Sequence, residues 1–310
     1  MPSPVAAFDL PAPSAVSFGT SATYGPDGLL YAFDGLNVLK QQAANTGSFA
    51  AVNSSPLSVA GSDAGPITFS NNGTSIFVGT GLGGFDFSGN SNGLTFALPA
   101  AGGAFTQIPG TTPGQYSFAS YQGTAGRLLV NQGTSDFSGS FVSLYGTTSG
   151  DVATVIDNIP GASTAVGVDS DAVIVGIGFG PERGTLRRFG LAAVVAAATT
   201  SPLDFSAGEL LNPADDSNSG TGIFQLPDGR IFVGQGSEGG VLVLFPDGGS
   251  RVFDLGQGFN TIAYNAVDDQ FASFADGRAL VFDTAGFIPE PATLSLAAVG
   301  LLGLVRRRAA

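Results

Sequence analysis

Any chemistry in this chain must proceed without imidazole or thiol, because its 310 residues contain no His and no Cys. That excludes a Ser-His-Asp or Cys-His arrangement and every metal site built on imidazole or thiolate. A Ser-Lys dyad would have to use Lys40, the only lysine, and nothing around it in the sequence marks it as buried. Carboxylates remain. Asp86, Ser88, Asn90 and Asn92 space side-chain oxygens at alternate positions, and Asp215, Asp216, Ser217 and Asn218 form a second polar cluster. Hard oxygen ligands suit Ca²⁺, so Asp86, Asp215 and Asp216 are the candidate metal ligands and calcium the candidate cofactor. The same residue types also form turns through Asx-type backbone hydrogen bonds. The first run lacks the charge density and the closing Glu of an EF-hand loop.

Three letter patterns carry no chemistry. Gly79-x-Gly81-x-x-Gly84 and Gly234-x-Gly236-x-x-Gly239 match the dinucleotide fingerprint, but a phosphate cradle needs a helix N-terminus after the glycines. Here another strand or turn follows. Gly89-x-Ser91-x-Gly93 spells a nucleophile elbow without the strand-to-helix context or the histidine that would use it.

The elements that must position these residues are short strands. Hydrophobic residues make up 43% of the chain and charged residues only 11%, enough to bury a core, while 47 glycines and 25 phenylalanines favour strands and tight turns over helices. Net charge is −13, and outside Arg306, Arg307 and Arg308 the basic residues stand singly except for Arg187 and Arg188. A nucleic-acid partner needs clustered cations to neutralise phosphates, so none is expected. The absence of cysteine removes a disulfide framework and fits a chain that crosses an oxidising compartment.

An apolar strand, a gap and a second apolar strand recur along the chain at about 40 to 58 residues. The first strands read 29–33, 76–81, 128–133, 172–178, 231–236 and 270–275, and their partners 36–40, 93–98, 140–145, 184–189, 240–245 and 278–283. The turns Pro26-Asp27-Gly28, Asn71-Asn72-Gly73 and Pro227-Asp228-Gly229 precede three of them and supply the positive φ of a tight hairpin. Asp86-Phe87-Ser88-Gly89 returns as Asp136-Phe137-Ser138-Gly139, with a looser echo at Asp204-Phe205-Ser206.

Such a period, with several strands per unit, predicts an all-β fold. The expected architecture is a six-bladed β-propeller over residues 1–286, with seven blades as the alternative count. Gly79, Gly176 and Gly234 are expected where strands crowd the central channel. Residues 192–198 read as a short helix inserted in a loop, and Val5 to Leu10 is expected to pair with the last blade and close the ring. The pattern resembles gluconolactonase-like and NHL-type six-bladed propellers. A gluconolactonase-like site would need a Glu, an Asn and Asp ligands in the channel, and only Glu182, Glu209, Glu238 and Glu290 are present. The streptogramin-lyase type of propeller depends on histidine.

Residues 287–310 form a separate tail. Pro289-Glu290-Pro291 is followed by 14 uncharged residues, Ala292 to Val305, and then by Arg306, Arg307 and Arg308. As a helix that apolar run spans roughly 21 Å, short of the roughly 30 Å hydrocarbon core of a bilayer, and the positive-inside rule keeps its arginines cytoplasmic. This order resembles the PEP-CTERM sorting domain of exosortase substrates. The resemblance implies a transient hydrophobic sorting helix and export through the inner membrane of a Gram-negative bacterium. It further implies cleavage near Pro-Glu-Pro by a membrane transpeptidase of the exosortase type, and delivery to the cell surface or an extracellular polysaccharide matrix. Family members carry a leader, and Met1 to Leu10 has neither the basic start nor the apolar core of one.

Two functional readings follow, from different classes. In the first the chain is a non-enzymatic, envelope- or matrix-sorted propeller that binds polysaccharide or a surface protein. In the second it is a metal-dependent propeller hydrolase or lactonase using its acidic loops.

Overall fold

The recurring apolar runs are buried on both faces at once. In Leu30–Phe33 all four side chains are buried, and the same holds for Ile231–Gln235 and for Gly240–Leu244. A strand with no solvent face must lie in a sheet packed between two other sheets, which is the situation of a propeller blade. A computed structural model of the chain describes residues 2–11, 21–58, 65–80, 93–112, 115–120, 127–133, 138–147, 149–168, 171–214, 219–235, 240–256, 261–275 and 277–288. It is a six-bladed propeller.

The first strand, β1 (Ala6–Asp9), belongs to the last blade. Blade one is β2 (Ser21–Tyr24), β3 (Leu30–Phe33), β4 (Val38–Gln41) and β5 (Phe49–Ala51), and blade two is β6 (Ile67–Phe69), β7 (Ser75–Gly79), β8 (Gly93–Pro99) and β9 (Thr106–Thr112). Blade three comprises β10 (Gln115–Ser120), β11 (Arg127–Gly133), β12 (Gly139–Gly146) and β13 (Val152–Pro160). Blade four starts with β14 (Ala162–Val168), β15 (Ala172–Phe179) and β16 (Leu186–Gly190). The helix α1 (Leu191–Ala197) follows, then β17 (Leu203–Asp204), which pairs in parallel with β13, and β18 (Glu209–Asn212), which completes blade four. Blade five is β19 (Ser219–Gln225), β20 (Ile231–Gln235), β21 (Gly240–Leu244) and β22 (Ser250–Asp254). Blade six is β23 (Thr261–Asn265), β24 (Gln270–Ala275) and β25 (Arg278–Asp283), with β1 as its outer strand.

The ring closes as the sequence suggests, with Ala6 opposite Val281 and Asp9 opposite Arg278. The inserted helix also lies where expected and buries Val194 and Ala197 against blades three and four. The core is divided among the blade interfaces. Six apolar clusters alternate with the blades, for example Tyr31, Phe33, Ile76 and Val78 between blades one and two and Phe8, Leu30, Phe274 and Val281 where blade six meets blade one.

The strands nearest the axis are β2, β6, β10, β14, β19 and β23, which pack against one another from blade to blade. This corrects the placement of Gly79, Gly176 and Gly234, which lie in the second strands β7, β15 and β20. The glycines that permit close approach are elsewhere. A Cβ on Gly222 would sit 2.5 Å from the Ile262 carbonyl oxygen, and one on Gly167 would sit 3.0 Å from Ile223 Cγ2. Inner strands of adjacent blades come that close because these positions carry no side chain.

The three Gly-ending turns share one geometry. Gly28, Gly73 and Gly229 have φ of 75°, 69° and 88°. Asp27, Asn72 and Asp228 each accept a hydrogen bond from the backbone N–H two residues on, as Asx turns require. Pro246-Asp247-Gly248 repeats the device between β21 and β22, with Gly248 at φ 85°.

Candidate functional site

Strand direction gives the propeller two unlike faces. On one, here the upper face, lie the loops joining second to third strands and those carrying the chain from each blade to the next. The hairpin turns Gly25–Gly28, Ser70–Gly73 and Leu226–Gly229 lie on the other, lower face.

Asp86 lies in the connection between β7 and β8, and Asp215 and Asp216 in that between β18 and β19; all three are outside the described residues, as are Pro289, Glu290, Pro291, Arg306, Arg307 and Arg308. The strand ends that flank the two acidic segments, Gly79 and Gly93 and then Asn212 and Ser219, all point to the upper face. Among the described residues no group of three or more carboxylates could hold a metal, and no helix is long and apolar enough to cross a membrane. The third Asp-Phe-Ser echo is not equivalent to the others. Phe205 is buried in a 3₁₀ turn at the outer edge of blade three, and Asp204 caps that turn by accepting from Ser206 N–H.

The upper face holds a set of buried polar residues at the tops of the blade interfaces. Most are loop staples. Asp34 accepts from the N–H groups of Leu36 and Asn37 at 2.8 and 2.6 Å, Thr80 accepts from Leu94 N–H at 2.8 Å, and Ser140 donates to the Gly161 carbonyl at 2.8 Å. Asn53 accepts from Val38 N–H at 2.9 Å, and Asn212 donates to the Gly184 carbonyl at 2.9 Å.

Two glutamines differ. Gln132 and Gln235 take equivalent places at the upper ends of β11 and β20, each only 1% exposed. Neither amide atom of Gln132, which lies beside the Tyr145 hydroxyl, makes a hydrogen bond of good geometry among the described residues, nor does Gln235 Oε1. A buried polar atom without a partner costs about 1–3 kcal/mol, so positions that keep one are candidates for a function outside folding. Sequence reasoning passed over them. The signal was the repeated ending of Leu-Leu-Val-Asn-Gln-Gly and Ile-Phe-Val-Gly-Gln-Gly, where an apolar run closes on the same amide.

On the lower face Lys40 Nζ lies 2.7 Å from Asp27 Oδ2, the Tyr31 hydroxyl donates to the same oxygen at 3.0 Å, and the ammonium stands 5.5 Å from the centre of the Tyr31 ring. The hydrogen bonds to Asp27 and Tyr31 push the lysine up from its ordinary value. A Ser-Lys dyad needs the opposite shift, because the lysine must lose its proton to act as base. Burial acts to raise Asp27, but hydrogen bonds from Lys40, Leu29 N–H and Tyr31 outweigh it and hold the carboxyl below its usual range. A carboxylate with a lowered folded value stabilises the fold above its unfolded value, and this is lost as pH falls through the folded one. Asp27→Asn is therefore expected to lower stability at pH 7 by under about 1 kcal/mol, given the exposure of the pair. The difference should shrink in urea titrations run well below the ordinary carboxylate range, as pH falls through the lowered folded value. An equal deficit at both pH values would contradict the assignment.

A shallow cleft of about 520 Å³ opens on the same face between blades four and five, lined by Asp171, Arg188, Glu209 and Gln225. Its guanidinium already faces Glu209 at 3.8 Å and donates to Gln225 at 3.3 Å.

The family model for the PEP-CTERM protein-sorting motif matches residues 287–309. The chain thus carries a PEP-CTERM sorting motif behind a six-bladed propeller, and the motif implies export, processing by an exosortase and a surface or extracellular destination. No curated protein matches the chain in sequence. Solved structures match its fold at low identity. A chain of the mitotic checkpoint complex superposes with a TM-score of 0.58 at 12% identity, covering 91% of this chain and 92% of that one. An auxiliary nutrient binding protein from Bacteroides thetaiotaomicron VPI-5482 gives 0.58 at 10% identity, over 86% of this chain and 69% of its own. A streptogramin B lyase gives 0.53 at 14% identity, over 92% and 87%.

Proposed function

We propose that this chain is a non-enzymatic binding module, sorted to the cell surface or matrix, whose propeller holds extracellular polysaccharide on its upper face. The observation that carries this reading is the sorting motif at 287–309 joined directly to a propeller packed through Phe287. The lack of His and Cys and the engagement of the only lysine by Asp27 and Tyr31 favour binding over catalysis. A net charge of −13 favours neutral over acidic glycans. Isothermal titration of residues 2–288 with neutral matrix polysaccharide should give saturable binding. Binding of an envelope protein and of no glycan would move the assignment to a protein partner.

The second reading, a metal-dependent hydrolase or lactonase, is favoured by one observation: the strands flanking both acidic segments end on the same face. The two readings differ in stability. Ca²⁺ bound only to the folded state at a hundredfold excess over Kd adds about 2.7 kcal/mol. At roughly 2 °C per kcal/mol for a domain of this size, that raises the melting temperature by about 5 °C. Under the binding-module reading, neither EDTA nor millimolar Ca²⁺ shifts the melting temperature. A rise of several degrees that Asp215→Ala with Asp216→Ala, or Asp86→Ala, abolishes would instead establish the metal site.

Processing should also leave a charge signature. A product ending near Pro289 loses Glu290 and the three arginines, leaving 23 acidic and 8 basic residues, so net charge moves from −13 to −15. Isoelectric focusing should show the mature form below the precursor in pI; a shift upward would contradict cleavage at this point.

A further inference from the structure

Between the last packed residue of the propeller and the Pro-Glu-Pro motif there is one residue. Beyond β25 the chain makes a 3₁₀ turn, Thr284–Gly286, and buries Phe287 completely. The Phe287 ring lies 5.0 Å from Phe253, 5.0 Å from Phe271, 5.7 Å from Phe232 and 5.8 Å from Phe282, between centroids. Arg230, from the lower-face turn between β19 and β20, donates through Nη1 to the carbonyls of Thr284 and Phe287, both at 2.9 Å. Asp228 fixes that guanidinium, accepting from Nε at 2.7 Å. Ile288 is then 55% exposed, and Pro289 follows.

We infer that this latch fixes the orientation of the precursor, so that the lower face of the propeller is held against the membrane until the tail is cut and the upper face points away. The four residues between Phe287 and the apolar run, Ile288 to Pro291, reach at most about 14 Å when extended, less than the width of the body, so a tail seated in the bilayer leaves the propeller no room to turn over. The lower face does not supply the attraction itself. Its turns carry Asp27, Asp228, Asp247, Asp268 and Asp269, which an anionic lipid surface repels. The tether enforces the contact. The inference rests on the reading that the tail holds the precursor in the membrane, and the test separates the two.

Because the chain has no cysteine, single-Cys variants give one label each. Ser149→Cys and Val267→Cys place an environment-sensitive fluorophore at exposed lower-face turns, and Ser58→Cys and Glu182→Cys place it at exposed upper-face loops. Full-length precursor is reconstituted in vesicles of phosphatidylethanolamine and phosphatidylglycerol, some of the lipid carrying a bromine quencher. Lower-face labels should be quenched several-fold more than upper-face labels. Inserting twelve Gly and Ser residues between Ile288 and Pro289, which leaves the folded body untouched, should erase the difference. Equal quenching at both faces, with the precursor still resistant to alkaline extraction, would overturn the orientation alone. Precursor lost from the vesicles on alkaline extraction would overturn the membrane-held tail and the orientation with it.

Discussion

Removing residues 2–9 is expected to lower the melting temperature by more than 10 °C and to make unfolding depend on protein concentration. Those residues supply β1, which closes the ring through four register pairs with β25 and the flanking bond from Val5 N–H to the Val281 carbonyl at 2.8 Å. They also bury Phe8, and they hold Leu10 in the same cluster with Leu30, Phe274 and Val281. Truncating a buried Phe costs about 3–5 kcal/mol and a buried Leu about 2–5, so losing both approaches the 5–15 kcal/mol that holds a whole domain together. The deletion also leaves β25 as an open edge able to pair with another chain. Phe8→Ala alone removes the ring without opening the edge, and about 3 kcal/mol corresponds to a fall of roughly 6 °C. Scanning calorimetry at two concentrations distinguishes the effects. A form lacking residues 2–9 that melts within 1 °C of the parent would show that ring closure does not limit stability.

That closure was legible in the sequence because Val5 to Leu10 precedes the first repeat and the last repeat would otherwise keep an open edge. The second and third strands of every blade were legible for a related reason. Where they are buried between sheets on both sides they are apolar almost throughout, so Ile-Phe-Val-Gly and Gly-Val-Leu-Val-Leu stand out as unbroken runs, whereas β4 and β16 carry half-buried Lys40, Arg187 and Arg188. The inner and outer strands did not stand out. Ser21–Tyr24 and Ile67–Phe69 are short and mixed, because an inner strand spends one face on its neighbours around the axis. Glu209–Asn212 and Ser250–Asp254 are outer strands with mostly exposed side chains. Periodicity weakens at both ends of a blade, and so the sequence pattern alone points to the glycines of the conspicuous strands as channel lining.

The candidate site was less legible than the fold. Composition removed most chemistry at once, since no arrangement can recover the missing imidazole and thiol. It could not say which of many Asp, Asn and Gln side chains are occupied in holding loops. Asp34 and Asn53 are of the same residue types as the candidate ligands, and their side chains accept from backbone N–H groups. Gln132 and Gln235 look like ordinary strand residues and are among those with a buried amide atom lacking a good partner among the described residues. Hydrogen-bond satisfaction depends on what is folded against a side chain, which its neighbours in sequence do not specify.

Replacing Arg306, Arg307 and Arg308 together with serine is expected to reduce the processed fraction at least tenfold. The 14 uncharged residues before them span roughly 21 Å as a helix, too little to fill a bilayer of roughly 30 Å, so apolar length alone holds the tail weakly. On this reading the arginines provide the stop. Drawing one to the bilayer centre costs about 2.5–3.5 kcal/mol on insertion scales, hence roughly 8–10 kcal/mol for three, whereas serine offers little resistance. A precursor without that barrier slips through before the membrane enzyme cuts it, or accumulates uncut. A single Arg307→Ser change leaves two charges and should be nearly silent. Mass spectrometry of the envelope and medium reads the outcome as peptides that end at Ala310 or near Pro289. If the triple variant is cut as fully as the parent, the basic stop has no part in processing. If the native surface form still ends at Ala310, the tail is not a cleaved signal at all.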